Sequence, residues 1–137
     1  MVIDNSNEII IEKFKAITGI QKRRYIKDNE TVADIAIEAA KKTIKDSKVD
    51  KETIDYIITA HNVGDITLES NQVNTLPSLA SKIKAGLKIQ SPDCVAYDIL
   101  FGCPGWIEGV IQATAFIKAG MAKRCLVIGA DTLSRVL

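Results

Sequence analysis

The sequence predicts an α/β fold: a mostly parallel sheet with helices on both faces. Two observations predict it. After residue 30, segments of helical periodicity alternate with short β-rich runs in the order helix, strand, helix, strand, helix, strand. The strands are apolar through their middles rather than alternating, as in parallel strands covered on both sides and joined by right-handed crossovers.

Each element follows from local pattern. Residues 32–47 put Val32, Ile35, Ala36, Ala39, Ala40 and Ile44 on one face, with Asp34, Glu38, Lys41, Lys42 and Lys45 on the other. That is an amphipathic helix, and Thr31 is placed to cap it. Ile54 to Ala60 reads as a buried strand. Pro77 then suits a first helical turn, with Leu79, Ala80, Ile83 and Leu87 following at helical spacing. Cys94 to Leu100 reads as a second strand and residues 104–119 as a helix closed by Gly120. Residues 124–130 (RCLVIGA) read as a third strand. Residues 62–75 (NVGDITLESNQVNT) form a long polar loop at the carboxyl end of the first strand, the edge where open α/β sheets bind ligands.

Composition narrows the function. The chain has 137 residues, 47% of them apolar and 26% charged, with a formal net charge of +1. A single globular unit is expected over residues 1–137, with no global field for nucleic acid or an anionic membrane. No apolar run approaches the roughly 18 residues of a membrane span, and Asp4 and Glu8 stand where a secretory leader would be basic and then apolar. A cytoplasmic location is expected. Cys94, Cys103 and Cys125 are widely spaced and odd in number, which suits neither a disulfide framework nor a zinc site, and there is one histidine. No metal is expected.

The sharpest chemical signal is residues 98–106, DILFGCPGW. Cys103 follows a buried strand by a few residues and stands at the start of a helix. Gly102 and Gly105 keep the turn free of bulk, and Pro104 presets the first helical turn. A helix N-terminus beside a cysteine favours thiolate over thiol, and the Cys103 N–H can help hold an oxyanion. The alternative reading of Cys103 is a small core residue. Cys125, inside an apolar strand, and Cys94, which opens one, read as packing residues. His61 and Asn62 are neighbours at a strand end and point in opposite directions, so both do not converge on one sulfur. His61 either lines the reaction cleft or is a hydrogen-bonded strand-end histidine. Gly105 and Gly109 give the cysteine helix a small face for close approach to the sheet; no phosphate-binding glycine pattern is present.

Four stretches in register resemble a known family: residues 18–24 (TGIQKRR), residues 29–32 (NETV) before a helix with Ala39-Ala40, the cysteine elbow, and residues 126–135 (LVIGADTLSR). They look like β-ketoacyl-acyl carrier protein synthase III of the thiolase superfamily, from about Glu8 to the last residue. The resemblance implies a thiolase-like fold, of which residues 1–137 make the amino-terminal half-domain. It implies that Cys103 takes an acyl group from acyl-coenzyme A and condenses it with malonyl-acyl carrier protein, with loss of carbon dioxide, at the start of fatty acid synthesis. No cofactor is implied beyond these substrates. The family's catalytic histidine and asparagine belong to its second half, so no condensing activity is expected of this stretch alone. Leu76 matches a position that reaches the partner subunit's acyl pocket and helps set chain length; a hydrophobic staple on the following helix is the other reading. Lys13 or Phe14 stands near a tryptophan of the family that stacks on the adenine of coenzyme A, Ile17 stands where it has arginine, and Pro104 where it often has alanine. The thioester donor is left open by these departures.

A homodimer is expected, with the sheet continuing across the subunit boundary near residues 62–80. A half-fold taken alone is expected to associate or to be poorly stable. Two other functions fit the residues: another Claisen condensing enzyme of the superfamily, in secondary metabolism or of the 3-hydroxy-3-methylglutaryl-coenzyme A synthase type, and a non-catalytic interaction subunit in which Cys103 is packing.

Overall fold

The computed structural model describes residues 6–66 and 72–136. Its centre is a three-stranded parallel sheet in the order β4-β1-β5, formed by β1 (Tyr56–His61), β4 (Val95–Leu100) and β5 (Cys125–Gly129). Tyr56 stands opposite Val95 on one side and Cys125 on the other. The helices α2 (Val32–Ser47) and α3 (Leu79–Gly86) cover one face, and α4 (Gly105–Lys118) covers the other. The expected parallel sheet with helices on both faces is therefore present.

Strand alternation divides the core. Ile57, Leu126 and Ile128 meet Val32, Ala36, Ala40, Leu79, Ala80 and Ile83 of α2 and α3. Ile58 and Val127 face α4 instead, close against Gly109. Ile57, Ile58, Ile83 and Val32 are fully buried, and each such side chain contributes about 1.5–3 kcal/mol relative to exposure. The glycines of α4 are what permit the approach: a Cβ at Gly109 would stand 2.8 Å from Val127 Cγ1, and one at Gly105 would stand 3.2 Å from Ala60 Cβ.

The helix ends follow their local chemistry. Thr31 caps α2 in a reciprocal box: its Oγ1 accepts from Asp34 N–H, and Asp34 accepts from Thr31 N–H. Such a cap contributes about 1 kcal/mol. The start of α3 departs from expectation. Pro77 lies before the helix rather than in its first turn, the Leu76–Pro77 peptide is cis, and Ser78 is the cap that accepts from Ser81 N–H. α4 ends as the pattern implied, with Gly120 left-handed at φ 73°.

Beyond the expected elements stand a first helix and a hairpin, among others. α1 (Asn7–Thr18) is a helix with no buried residue, and its Ile9, Ile10, Ile11, Phe14 and Ile17 are exposed. The expected polar loop contains a short antiparallel hairpin, β2 (Asp65–Ile66) against β3 (Val73–Asn74). The middle of that loop, residues 67–71, lies outside the described residues. One carboxylate and one guanidinium fasten the hairpin region. Asp65 accepts from Ala33 N–H at the start of α2 and from Lys82 Nζ on α3. Arg135 donates to the carbonyls of Ile66, Lys27 and Asp28. Among the described residues, no helix is long and apolar enough to cross a membrane.

Candidate active site

β4 leads directly into the cysteine turn. The strand ends at Leu100, Gly105 N–H donates to Gly102 O (2.8 Å), and α4 begins at Gly105 with Pro104 as its cap residue. Cys103 thus sits one residue ahead of the cap, slightly farther from the helix than a cysteine opening the first turn. Pro104 has no N–H to satisfy, and helix geometry leaves the first-turn N–H groups of Trp106 and Ile107 without intrahelical acceptors.

The three cysteines separate by environment. Cys103 is exposed, Cys94 is buried and Cys125 is intermediate. Burial pushes the Cys94 thiol up, and it does the same to Cys125. Both are poor nucleophiles, as the packing reading implies. Cys103 opens into a recess of about 290 Å³, walled by His61, Asn62, Phe101, Trp106, Gly129 and Asp131 among others.

The structure brings His61 to the wall of this recess but occupies both its nitrogens. His61 is 5% exposed, its Nε2 lies 3.1 Å from Asp98 Oδ2, and Gly64 N–H donates to its Nδ1 at 2.9 Å. An Nδ1 that accepts from a backbone N–H carries no proton, so the ring is the Nε2–H tautomer and donates to Asp98. No nitrogen is left over for proton transfer at the sulfur.

Asp98 is the hub of this arrangement, and sequence reading singled it out only as the start of the cysteine motif. Besides His61, it accepts from Leu79 N–H and Ala80 N–H at the start of α3, each at 2.7 Å. Burial pushes the Asp98 carboxyl up, but the hydrogen bonds from His61, Ala80 and Leu79 outweigh it and hold the group below its ordinary value. One carboxylate on β4 therefore ties the strand that leads into the cysteine turn to the end of β1 and the start of α3.

Asn62 lines the same recess but engages a different carboxylate. Its backbone N–H donates to Asp131 Oδ2 at 2.9 Å, and its Nδ2 donates to the same oxygen. Its Oδ1 lies 4.0 Å from where a Cβ on Gly102 would stand, beside the cysteine turn. Asp131 Oδ1 is buried with no partner among the described residues. The position of Asp131 two residues past β5, at the carboxyl edge of the sheet, was the available signal for it.

Leu76 lies away from the recess of Cys103. It is 82% exposed at the corner before α3. Among the described residues, no group of three or more histidine, cysteine, aspartate or glutamate side chains gathers as metal ligands would.

Comparison with known proteins agrees with this architecture. The family described as 3-Oxoacyl-[acyl-carrier-protein (ACP)] synthase III matches residues 97–137. A β-ketoacyl-[acyl-carrier-protein] synthase III of Vibrio vulnificus is 38% identical over 134 residues, covering 98% of this chain and 38% of the relative. The corresponding protein of Erythrobacter litoralis is 36% identical with the same coverages. Among solved structures, the synthase III of Thermus thermophilus superposes with a TM-score of 0.75 at 31% identity, over 98% of this chain and 37% of that one. The chain thus spans about 38% of the length of the curated relatives it matches. In sequence and in its thiolase-like fold, this chain is similar to the β-ketoacyl-[acyl-carrier-protein] synthase III family over the part of those proteins that it spans.

Proposed function

We propose that the chain supplies the acyl-accepting part of a 3-oxoacyl-[acyl-carrier-protein] synthase III, with Cys103 as nucleophile. The Cys103 thiolate attacks the carbonyl of an acyl-coenzyme A thioester. The coenzyme A thiolate leaves, and the acyl group stays on sulfur. Malonyl-acyl carrier protein then loses carbon dioxide, and the resulting carbanion attacks the acyl carbonyl. The new carbon–carbon bond expels the Cys103 thiolate and yields a 3-oxoacyl product on the carrier. Backbone N–H groups of the cysteine turn are the donors best placed for the developing oxyanion.

One observation carries this reading: Cys103 is the exposed thiol of the three, at the mouth of a recess just ahead of a helix. His61, with both nitrogens engaged, serves the recess as a wall rather than as a base. In this reading the histidine and asparagine of the condensation come from a region of the protein other than residues 1–137, and this stretch does not condense by itself. The exposed Leu76 suits a side chain that reaches a partner subunit's acyl pocket in a homodimer. A cytoplasmic location fits such substrates.

The test is covalent labelling. The full-length gene product, incubated with radiolabelled acyl-coenzyme A, is expected to retain label as a thioester that Cys103→Ser abolishes. Label that survives Cys103→Ser, or none on intact protein, overturns the proposal in favour of an interaction subunit.

A further inference from the structure

We infer that Asn62, held by Asp131, is a partition that sets which acyl chains fit at Cys103. The inference rests on the function proposed above. Its ground is a second recess of about 280 Å³ that meets the cysteine recess along His61 and Asn62, the two residues that line both. Its walls are mainly apolar, from Val63, Val73, Leu79 and Leu100, and it lies under the β2–β3 hairpin.

The two shared residues differ in freedom to move. His61 is locked through both nitrogens to Asp98 and Gly64 and closes the floor. Asn62 is held at the rim by one carboxylate, through its own backbone N–H and its Nδ2. That grip turns Oδ1 toward Gly102, beside the cysteine turn. The hairpin roof is itself anchored, by Asp65 to Ala33 and Lys82 and by Arg135 to Ile66. The described strand β2 beside the second recess is therefore tied to α2, α3 and Arg135. A short acyl group on Cys103 is accommodated in the first recess. A longer one has to pass Asn62 to reach the apolar walls of the second. An amide side chain there costs a passing hydrocarbon both volume and desolvation of polar atoms.

Asp131 is then a positioning residue. It touches no acyl group and acts by fixing the Asn62 rotamer. A purely structural role would lower loading of every chain alike, whereas a positioning role changes the ratio between chains.

The experiment is a competition. The full-length gene product is offered an equimolar mixture of acetyl- and decanoyl-coenzyme A, and the acyl groups on Cys103 are counted by peptide mass spectrometry. Both compete for the same molecules, so the ratio does not depend on the fraction folded. Asn62→Ala is expected to raise the decanoyl-to-acetyl ratio roughly tenfold, the size of effect expected when a steric penalty of ordinary magnitude is lifted. Asn62→Phe is expected to lower it, and Asp131→Ala to raise it in the direction of Asn62→Ala. Wild-type loading with all three ratios unchanged overturns the inference and leaves the proposed function standing. Absence of any acyl group on wild-type Cys103 overturns the proposed function and this inference with it. Variants that load neither chain while the wild type loads both also count against it, because a partition selects among chains and does not decide whether sulfur reacts.

Discussion

Removing the Asp98 carboxylate tests the hub on which the site is built. Asp98→Ala leaves three donors without an acceptor: His61 Nε2–H, Leu79 N–H and Ala80 N–H. The carboxylate is 13% exposed and the histidine side chain 4%, so water replaces these bonds only in part. A hydrogen bond to a charged group contributes about 1.5–3 kcal/mol, less where water re-enters, which puts the total near 3–5 kcal/mol. Asp98→Asn is milder, because its oxygen can keep the shared position that serves His61 and Leu79 while its NH₂ faces Ala80 N–H. Its expected cost is about 1–3 kcal/mol. The assay is urea denaturation of the full-length gene product, read as midpoint shifts at constant slope. The pH dependence has a definite sign. The folded-state value of Asp98 is depressed, so its stabilisation is complete above the ordinary carboxyl value of about 3.9 and is lost as pH falls through the lower folded value. Asp98→Asn removes that acid-side loss. A wild-type midpoint for both variants, or an Asn variant costlier than the Ala one, refutes the reasoning.

Further outcomes follow from other contacts. Gly109→Val is expected to destabilise by at least about 1–3 kcal/mol, measured by thermal melting, because its Cβ alone would stand 2.8 Å from Val127 Cγ1. In the native protein, a thiol reagent is expected to modify Cys103 well before Cys94 and Cys125, read by peptide mapping at short times. Arg135→Ala frees the carbonyls of Ile66, Lys27 and Asp28. Hydrogen exchange in the β2–β3 hairpin is expected to rise severalfold, while the amides of β1 keep their protection.

What the sequence disclosed, and what it withheld, has physical causes. α2 was legible because sixteen residues sustain one period and Thr31 and Asp34 cap it. The strands were legible as apolar runs, although Ile54 is buried in the turn before β1 rather than in the strand. α1 was not legible: three consecutive isoleucines blur the helical period, and no packed face disciplines the pattern. The hairpin escaped because two-residue strands are too short to show alternation. The start of α3 was misplaced by giving Pro77 the role of a first-turn residue when Ser78 is the cap. At the site, the placement of Cys103 at a strand-to-helix turn came from local rules. The partners Asp98 and Asp131 did not, since 37 and 69 residues separate them from His61 and Asn62, and periodicity says nothing about which strands become neighbours.

The long reach of Arg135 and Asp131 has a consequence for biosynthesis. A nascent chain emerges in order, so Asn62 waits for Asp131, and the turn at Lys27 waits for Arg135 made 108 residues later. Until then β1 has no β5 beside it, and the hairpin roof lacks its tie to Arg135. The rim around the sulfur is thus finished late on the ribosome, after the β1–β4 pair that supports it can already have formed.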